Sequence, residues 1–361
     1  MCKSAYIHIP FCKSKCKYCS FVSGVNLEST SVYIKALVEE IKSLYIGEAL
    51  NTIYFGGGTP SVLPINYIKQ ILDRLKYNKN TEITFEINPD DATPEYLKML
   101  YEIGINRLSF GSQTFHNEIL SFIGRRHSAE DTLTAVKKAK QAGFRNISLD
   151  LIYGLPFQNL DILTNDLAVI KSLDVQHVST YGLKIETPSY FSKHLPKKLP
   201  DNDTQADMYL KINEILESYG YKRYEVSNFA KKSFESKHNL NYWNNSEYYG
   251  FGLSAHGYIN GIRYSNKENL NEYLNNPACH ANEHKVTNKE RIEEEIFLGF
   301  RKESGINVFD FKTKFNIDFG DKYKKIIDKY DDYIIKTEIG YKLTLEGVML
   351  SNEILSEFLE D

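Results

Sequence analysis

Residues 5–19 read Ala5-Tyr-Ile-His-Ile-Pro-Phe-Cys12-Lys-Ser-Lys-Cys16-Lys-Tyr-Cys19. The apolar run 5–9 predicts a strand, and the loop that leaves it carries three thiols within eight residues. Three thiolates spaced four and three apart can wrap one iron–sulfur cubane. With only three ligands, one iron lacks a protein ligand and stays open to a small molecule. Two blander readings stand beside this one, a zinc site and unrelated surface thiols. Zinc normally takes four ligands, and no fourth Cys or His follows at finger-like spacing. His8 alternates with Tyr6 on the strand and reads as a barrel residue rather than a ligand.

Outward from this stretch, short β-branched or aromatic runs alternate with amphipathic ones. Strands are expected at 5–9, 52–55, 82–87, 107–110, 147–151 and 177–181, and helices at 31–45, 65–75, 94–103, 129–142, 160–172 and 204–219. Thr93-Pro94 is an N-cap followed by proline at the first helical position, and Gly104, Gly143 and Gly220 sit where helices should stop. Strands alternating with helices imply βαβ crossovers and a parallel sheet. Six such units predict an α/β fold, a partial (β/α)6 TIM-like barrel over residues 1–230. Residues 231–285, rich in Asn, Tyr, Gly and His, read as a loop-rich connection. Residues 286–361 read as a small helical, winged-helix-like C-terminal domain, with strand-like runs at 333–337 and 340–345.

In such barrels the active site lies at the C-terminal ends of the strands. Gly56-Gly57-Gly58-Thr59-Pro60 occupies that end of the second strand, where a ligand can approach backbone without an intervening side chain. Glu86, Gln113, Asp150 and Lys184 fall at the ends of later strands. Polar residues gather at strand ends in any protein, so each position alone is weak, whereas one per strand is a poor coincidence.

The chain has 361 residues and a formal charge of −3, against the basic footprint of a nucleic-acid binder. Its five cysteines, with no secretory leader, do not form a disulfide framework, and no run approaches the ~18 apolar residues of a membrane span. The expected setting is the reducing cytoplasm. Cys279 stands alone and reads as structural, and Cys2 is too near the terminus to count as a ligand.

Cysteine spacing and glycine loop together resemble the radical S-adenosylmethionine (SAM) superfamily. More narrowly, Tyr6-Ile-His-Ile-Pro-Phe-Cys12 and the GGGTPS run are similar to the anaerobic coproporphyrinogen III oxidase group. The resemblance implies that Cys12, Cys16 and Cys19 ligate a [4Fe–4S] cluster whose open iron chelates SAM. It also implies an electron donor such as flavodoxin or ferredoxin. By the same resemblance Gly57, Gly58 and Thr59 form the loop at the SAM amino group, Tyr6 and Glu86 contact SAM, and Tyr18 packs near the adenine. Gln113, Arg125 and Asp150 line a further SAM position.

That group holds two biochemical classes. The oxidases carry a fourth cysteine two positions after the third, where this chain has Phe21. The second class, the haem chaperones of the HemW type, binds haem and hands it to apoproteins. His238-Asn-Leu-Asn-Tyr242-Trp243 is similar to its HNxxYW haem-binding motif, which makes His238 the expected haem ligand and His256 a secondary one. An imidazole can ligate haem iron axially; the blander reading is an aromatic cluster around a hydrogen-bonded histidine. Respiratory clients would bring such a chaperone to a membrane surface peripherally, although nothing in the sequence encodes an anchor.

Overall fold

Six runs of β-branched and aromatic residues form β1 (Ser4–Ile9), β2 (Thr52–Gly57), β3 (Glu82–Ile87), β4 (Arg107–Gln113), β5 (Ile147–Tyr153) and β6 (His177–Gly182). They pair in chain order, each neighbour parallel. The structure is a computed structural model that describes residues 3–359, so Cys2 lies outside the described residues.

The crossovers are α1 (Thr30–Leu44), α2 (Ile65–Leu72), α3 (Pro94–Glu102), α4 (Asn117–Phe122), α5 (Ala129–Gln141), α6 (Leu160–Leu173), α7 (Tyr190–Lys193) and α8 (Asn202–Ser218). Local chemistry starts and stops them. Thr93 accepts from the Tyr96 amide, and Ser128 and Asp131 close a capping box on α5. Buried Ile7, Ile53, Phe85, Phe110 and Leu149 form the core with Leu37, Ile68, Leu97, Val136 and Leu167 of the covering helices.

Two findings differ from expectation. Among the described residues the sheet has nine strands: antiparallel β8 (Asn228–Ala230) and β7 (Lys222–Arg223) extend it beyond β6, and β9 (Tyr249–Phe251) pairs parallel on the free edge of β1. Residues 231–285 also hold more than loops. They contain α9 (Lys237–Trp243), β9, α10 (Leu270–Asn275) and the antiparallel sheet of β10 (His256–Ile259), β11 (Ile262–Ser265) and β12 (Asn282–Lys285). Elements this short are set by tertiary contacts and show little periodicity of their own.

The chain ends in a second, smaller core under α11 (Asn288–Phe300), where Ile296, Phe300, Phe311, Phe319 and Phe358 pack together. Beside it β13 (Ile306–Asn307), β15 (Gly340–Leu343) and β14 (Ile334–Lys336) form an antiparallel sheet, helical segments with a small hairpin as expected. Among the described residues no helix is long and apolar enough to cross a membrane.

Candidate functional site

β2 and β4 run two or three residues past their expected ends, so Gly57 and Gln113 are strand residues. Around the C-terminal ends of the parallel strands lies a cavity of about 530 Å³. Cys12, Cys16 and Cys19 line it, and so do Gly57, Gly58, Thr59, Tyr18, Glu86, Gln113, Arg125 and Asp150. The structure therefore brings together all but three of the site residues singled out from the sequence, the exceptions being Tyr6, His238 and His256.

The cysteine loop is pinned by backbone. Cys12 N donates to Gly24 O (2.9 Å), Gly24 N to Pro10 O (2.8 Å) and Lys17 N to Ile123 O (2.9 Å). The glycine run forms its other wall, with Gly58 N donating to Ile9 O and Thr59 N to Phe11 O, each at 2.8 Å. Those amides are thus engaged by β1 and the start of the cysteine loop, and carbonyl oxygens are what the glycine run retains for a cationic ligand group. Gly57 sits at φ +110°, and a Cβ there would fall 2.5 Å from the His8 ring. Glycine is required on both counts. His8 itself is buried between Tyr6 Oη (3.0 Å from Nδ1) and Val22 O (2.9 Å from Nε2), a barrel residue as expected.

Two donors face the thiols: Thr59 Oγ1 to Cys12 Sγ (3.4 Å) and Arg125 Nη1 to Cys16 Sγ (3.5 Å). Arg125 Nη2 also donates to Asn88 Oδ1 (2.7 Å) and Gly111 O (2.6 Å), while its Nε is buried with no partner. Hydrogen bonds to cluster sulfurs tune iron–sulfur centres, and an orphaned guanidinium N–H suits an anionic ligand group. A soft three-thiol donor set around one cavity fits an iron–sulfur cluster.

Glu86 accepts from Tyr54 Oη (2.7 Å), and burial pushes its carboxyl up to about 7. Asp150 accepts from Ser109 Oγ at 3.1 Å on both oxygens, and burial raises it too. Gln113 adopts φ 66° at a register shift between β4 and β5, which turns the strand end over the cavity.

Three of the expected site residues lie away from this cavity. Tyr6 does not line the cavity; it bonds His8 inside the barrel and stacks on Tyr54, with ring centroids 6.1 Å apart. Tyr54 is the tyrosine that reaches the site. Sequence reading missed it, although it is Tyr6's register partner and alternates with Gly56. His238 is not with the other candidates. It is 1% exposed at the end where the strands begin, its Nδ1 2.8 Å from Thr52 Oγ1 and its Nε2 2.8 Å from Tyr242 Oη. Its amide and that of Lys237 donate to Glu82, and burial lowers the imidazole to about 3. With both ring nitrogens engaged, it stands as a structural histidine in this arrangement. His256 begins β10 and is exposed, Cys279 is exposed rather than structural, and Phe21 lies 66% exposed on the cavity rim.

Comparison with known proteins agrees with this architecture. Residues 6–170 match the Radical SAM superfamily and residues 286–350 the HemN C-terminal domain. The heme chaperone HemW of Lactococcus lactis is 40% identical, covering 99% of this chain and 97% of that one. Its Bacillus subtilis namesake is 39% identical, covering 99% of both. The fold is that of the Escherichia coli coproporphyrinogen III oxidase HemN, with a TM-score of 0.86 at 22% identity over 99% of this chain and 90% of that one. The superfamily implies a [4Fe–4S] cluster and SAM. Sheet, thiol loop, appended domain and relatives at 39–40% identity over nearly their whole length converge: the chain belongs to the HemW family of the radical SAM superfamily.

Proposed function

We propose that this protein is a haem chaperone of the reducing cytosol. It holds a [4Fe–4S] cluster on Cys12, Cys16 and Cys19, with SAM beside it, and transfers haem to apoproteins. The carrying observation is Phe21, an exposed side chain on the cavity rim where the oxidase class has its fourth cysteine. The relatives named above, matched over nearly their whole length, support the same reading. A flavodoxin or ferredoxin would supply electrons. Of the three expected parts, the connection over 231–285 bears the HNxxYW motif and also lends β9 to the cluster-bearing sheet, so it works with the barrel, and the C-terminal domain follows near residue 285.

When bound, the cluster supplies one-electron chemistry at SAM. The chain's own residues prepare the cavity. Thr59 and Arg125 donate to the sulfurs and offset thiolate charge. Glu86, Asp150 and the Gly57–Gly58 carbonyls present negative charge or dipoles to SAM's cationic groups. Arg125, with Nε free, is the partner for the SAM carboxylate. Tyr54 fixes the Glu86 carboxyl from the barrel side and keeps it oriented.

The deciding experiment uses one anaerobically reconstituted preparation of the whole chain. The wild type is expected to hold roughly four irons, to bind haem and to leave coproporphyrinogen III intact. Cys16→Ala is expected to lose its iron and its visible charge-transfer absorbance. Efficient decarboxylation of coproporphyrinogen by the wild type would move the protein to the oxidase class, whose fold it shares.

A further inference from the structure

A second cavity, of about 580 Å³, lies at the opposite end of the barrel, between α9, β11, β12 and α11. That volume is within the ~300–1,000 Å³ of small-molecule and cofactor sites. Its apolar lining comes from Tyr242, Tyr248, Val286, Phe297 and Leu298. Its carboxylates are already engaged. Arg263 holds Glu294 through Nε–Oε1 (2.6 Å) and Nη2–Oε2 (2.7 Å), and Glu290 belongs to the capping box of α11. Glu293 pairs with Lys289 (4.0 Å), and Asn245 and Ser246 complete the polar part of the lining. Beside the apolar side chains the cavity presents one imidazole, His284.

That imidazole is arranged as a metal-binding histidine is. Thr287 N and Oγ1 both donate to Glu290 Oε2, at 2.7 and 2.8 Å, which fixes the carboxylate. Its other oxygen lies 2.8 Å from His284 Nε2. A carboxylate only accepts, so Nε2 carries the proton and Nδ1 presents a lone pair. Nδ1 makes no hydrogen bond among the described residues. Metal-ligating histidines almost always donate their second ring N–H to such an oriented carboxylate. His238 is the opposite case, buried with both nitrogens engaged. The same hydrogen bond ties His238 to this cavity, because its partner Tyr242 is part of the wall.

We propose that this second cavity is the haem seat. His284 Nδ1 is the axial ligand to the iron, and the 238–243 motif shapes the wall through Tyr242 instead of ligating through His238. The proposal rests on the haem-chaperone reading and names its ligand site. The His284 side chain is 59% exposed. Haem held there stays within reach of an acceptor's own ligand, as a carrier requires.

The test is titration of the reconstituted full-length protein with ferric haem, read by Soret position, electron paramagnetic resonance and dissociation constant. His284→Ala is expected to lose the imidazole-ligated spectrum, with free imidazole restoring it, and to keep its full iron–sulfur content. Glu290→Gln, which preserves the capping box, should weaken haem binding about tenfold, as loss of an outer-shell partner does. His238→Ala should keep the imidazole-ligated spectrum. If His284→Ala matches the wild type in spectrum and affinity, the seat is elsewhere while the chaperone reading stands. If the wild type itself takes up no haem, that reading fails and this one with it.

Discussion

Glu86 sits buried at the mouth of β3 with Tyr54 donating to it, and burial pushes its carboxyl up to about 7. Below that pH it is protonated and offers no charge to a cationic ligand group. Above it the carboxylate is complete. SAM affinity is therefore expected to rise from pH 5.5 to 7, by up to about tenfold per unit. Glu86→Gln should bind weakly and flatten the profile. Calorimetric titration of the wild type across that range checks this, and a flat wild-type profile would remove Glu86 from the contact. Without ligand the sign reverses for stability. A carboxyl raised in the folded state stabilises fully below its unfolded value of ~4.5 and loses that contribution as pH climbs to about 7.

At the scale of the element, the glycine run of β2 and the cysteine loop after β1 are one construction, joined by the backbone bonds of Gly58 and Thr59. Gly57→Ala asks for φ +110° with a side chain and drives its Cβ into His8. The backbone strain alone costs about 1–3 kcal/mol. A fall of at least that size in denaturant stability is expected, together with loss of iron after reconstitution. A variant within ~0.5 kcal/mol of the wild type would mean that the loop has room to move. The six strands were legible because each alternates with a helical stretch, and Thr93, Ser128, Asn159 and Asp201 cap four of those helices. The thiols, the glycine loop, Glu86, Gln113 and Asp150 were singled out by spacing and strand-end position, and Arg125 by the family resemblance alone. β9 and α9 were not, being three and seven residues long in a stretch without periodicity. The seat of His238 was illegible for a further reason: its partner Thr52 is 186 residues away in the chain, so only the docked helix reveals it.

Across the whole molecule, buried titratable groups oppose one another. Burial lowers His8 and His127 to about 4, His238 to about 3, and His177 well below its usual value. Held neutral, these histidines stabilise fully above the unfolded value of ~6.5 and lose that contribution as pH falls. Burial raises Glu40 and Glu86 to about 7 and Asp166 to about 6, and their contribution is lost as pH rises from ~4 toward those values. Between about pH 4.5 and 6.5 the two slopes offset each other. The apoprotein's thermal midpoint should be nearly flat there and fall steeply in more acid solution. Glu40→Gln removes one opposing group, so its midpoint should climb with pH where the wild type's does not. A wild-type midpoint that climbs steadily from pH 4.5 to 6.5 would show that the carboxyls are not held protonated.

β9 pairs with β1 through Ala5↔Tyr249, Tyr6↔Gly250 and Ile7↔Phe251. The strand that launches the cysteine loop thus has its second edge covered by residues from beyond position 240. Chain lying on either side of residue 230 cannot be traded between relatives as an interchangeable cassette, because a rung of the cluster-bearing sheet travels with the downstream piece. A fragment ending at 230 would present the bare edge of β1, a template for self-association. Supplying residues 231–359 as a separate polypeptide should restore its solubility by complementation. What can be inherited or grafted as a working block runs from β1 through β9.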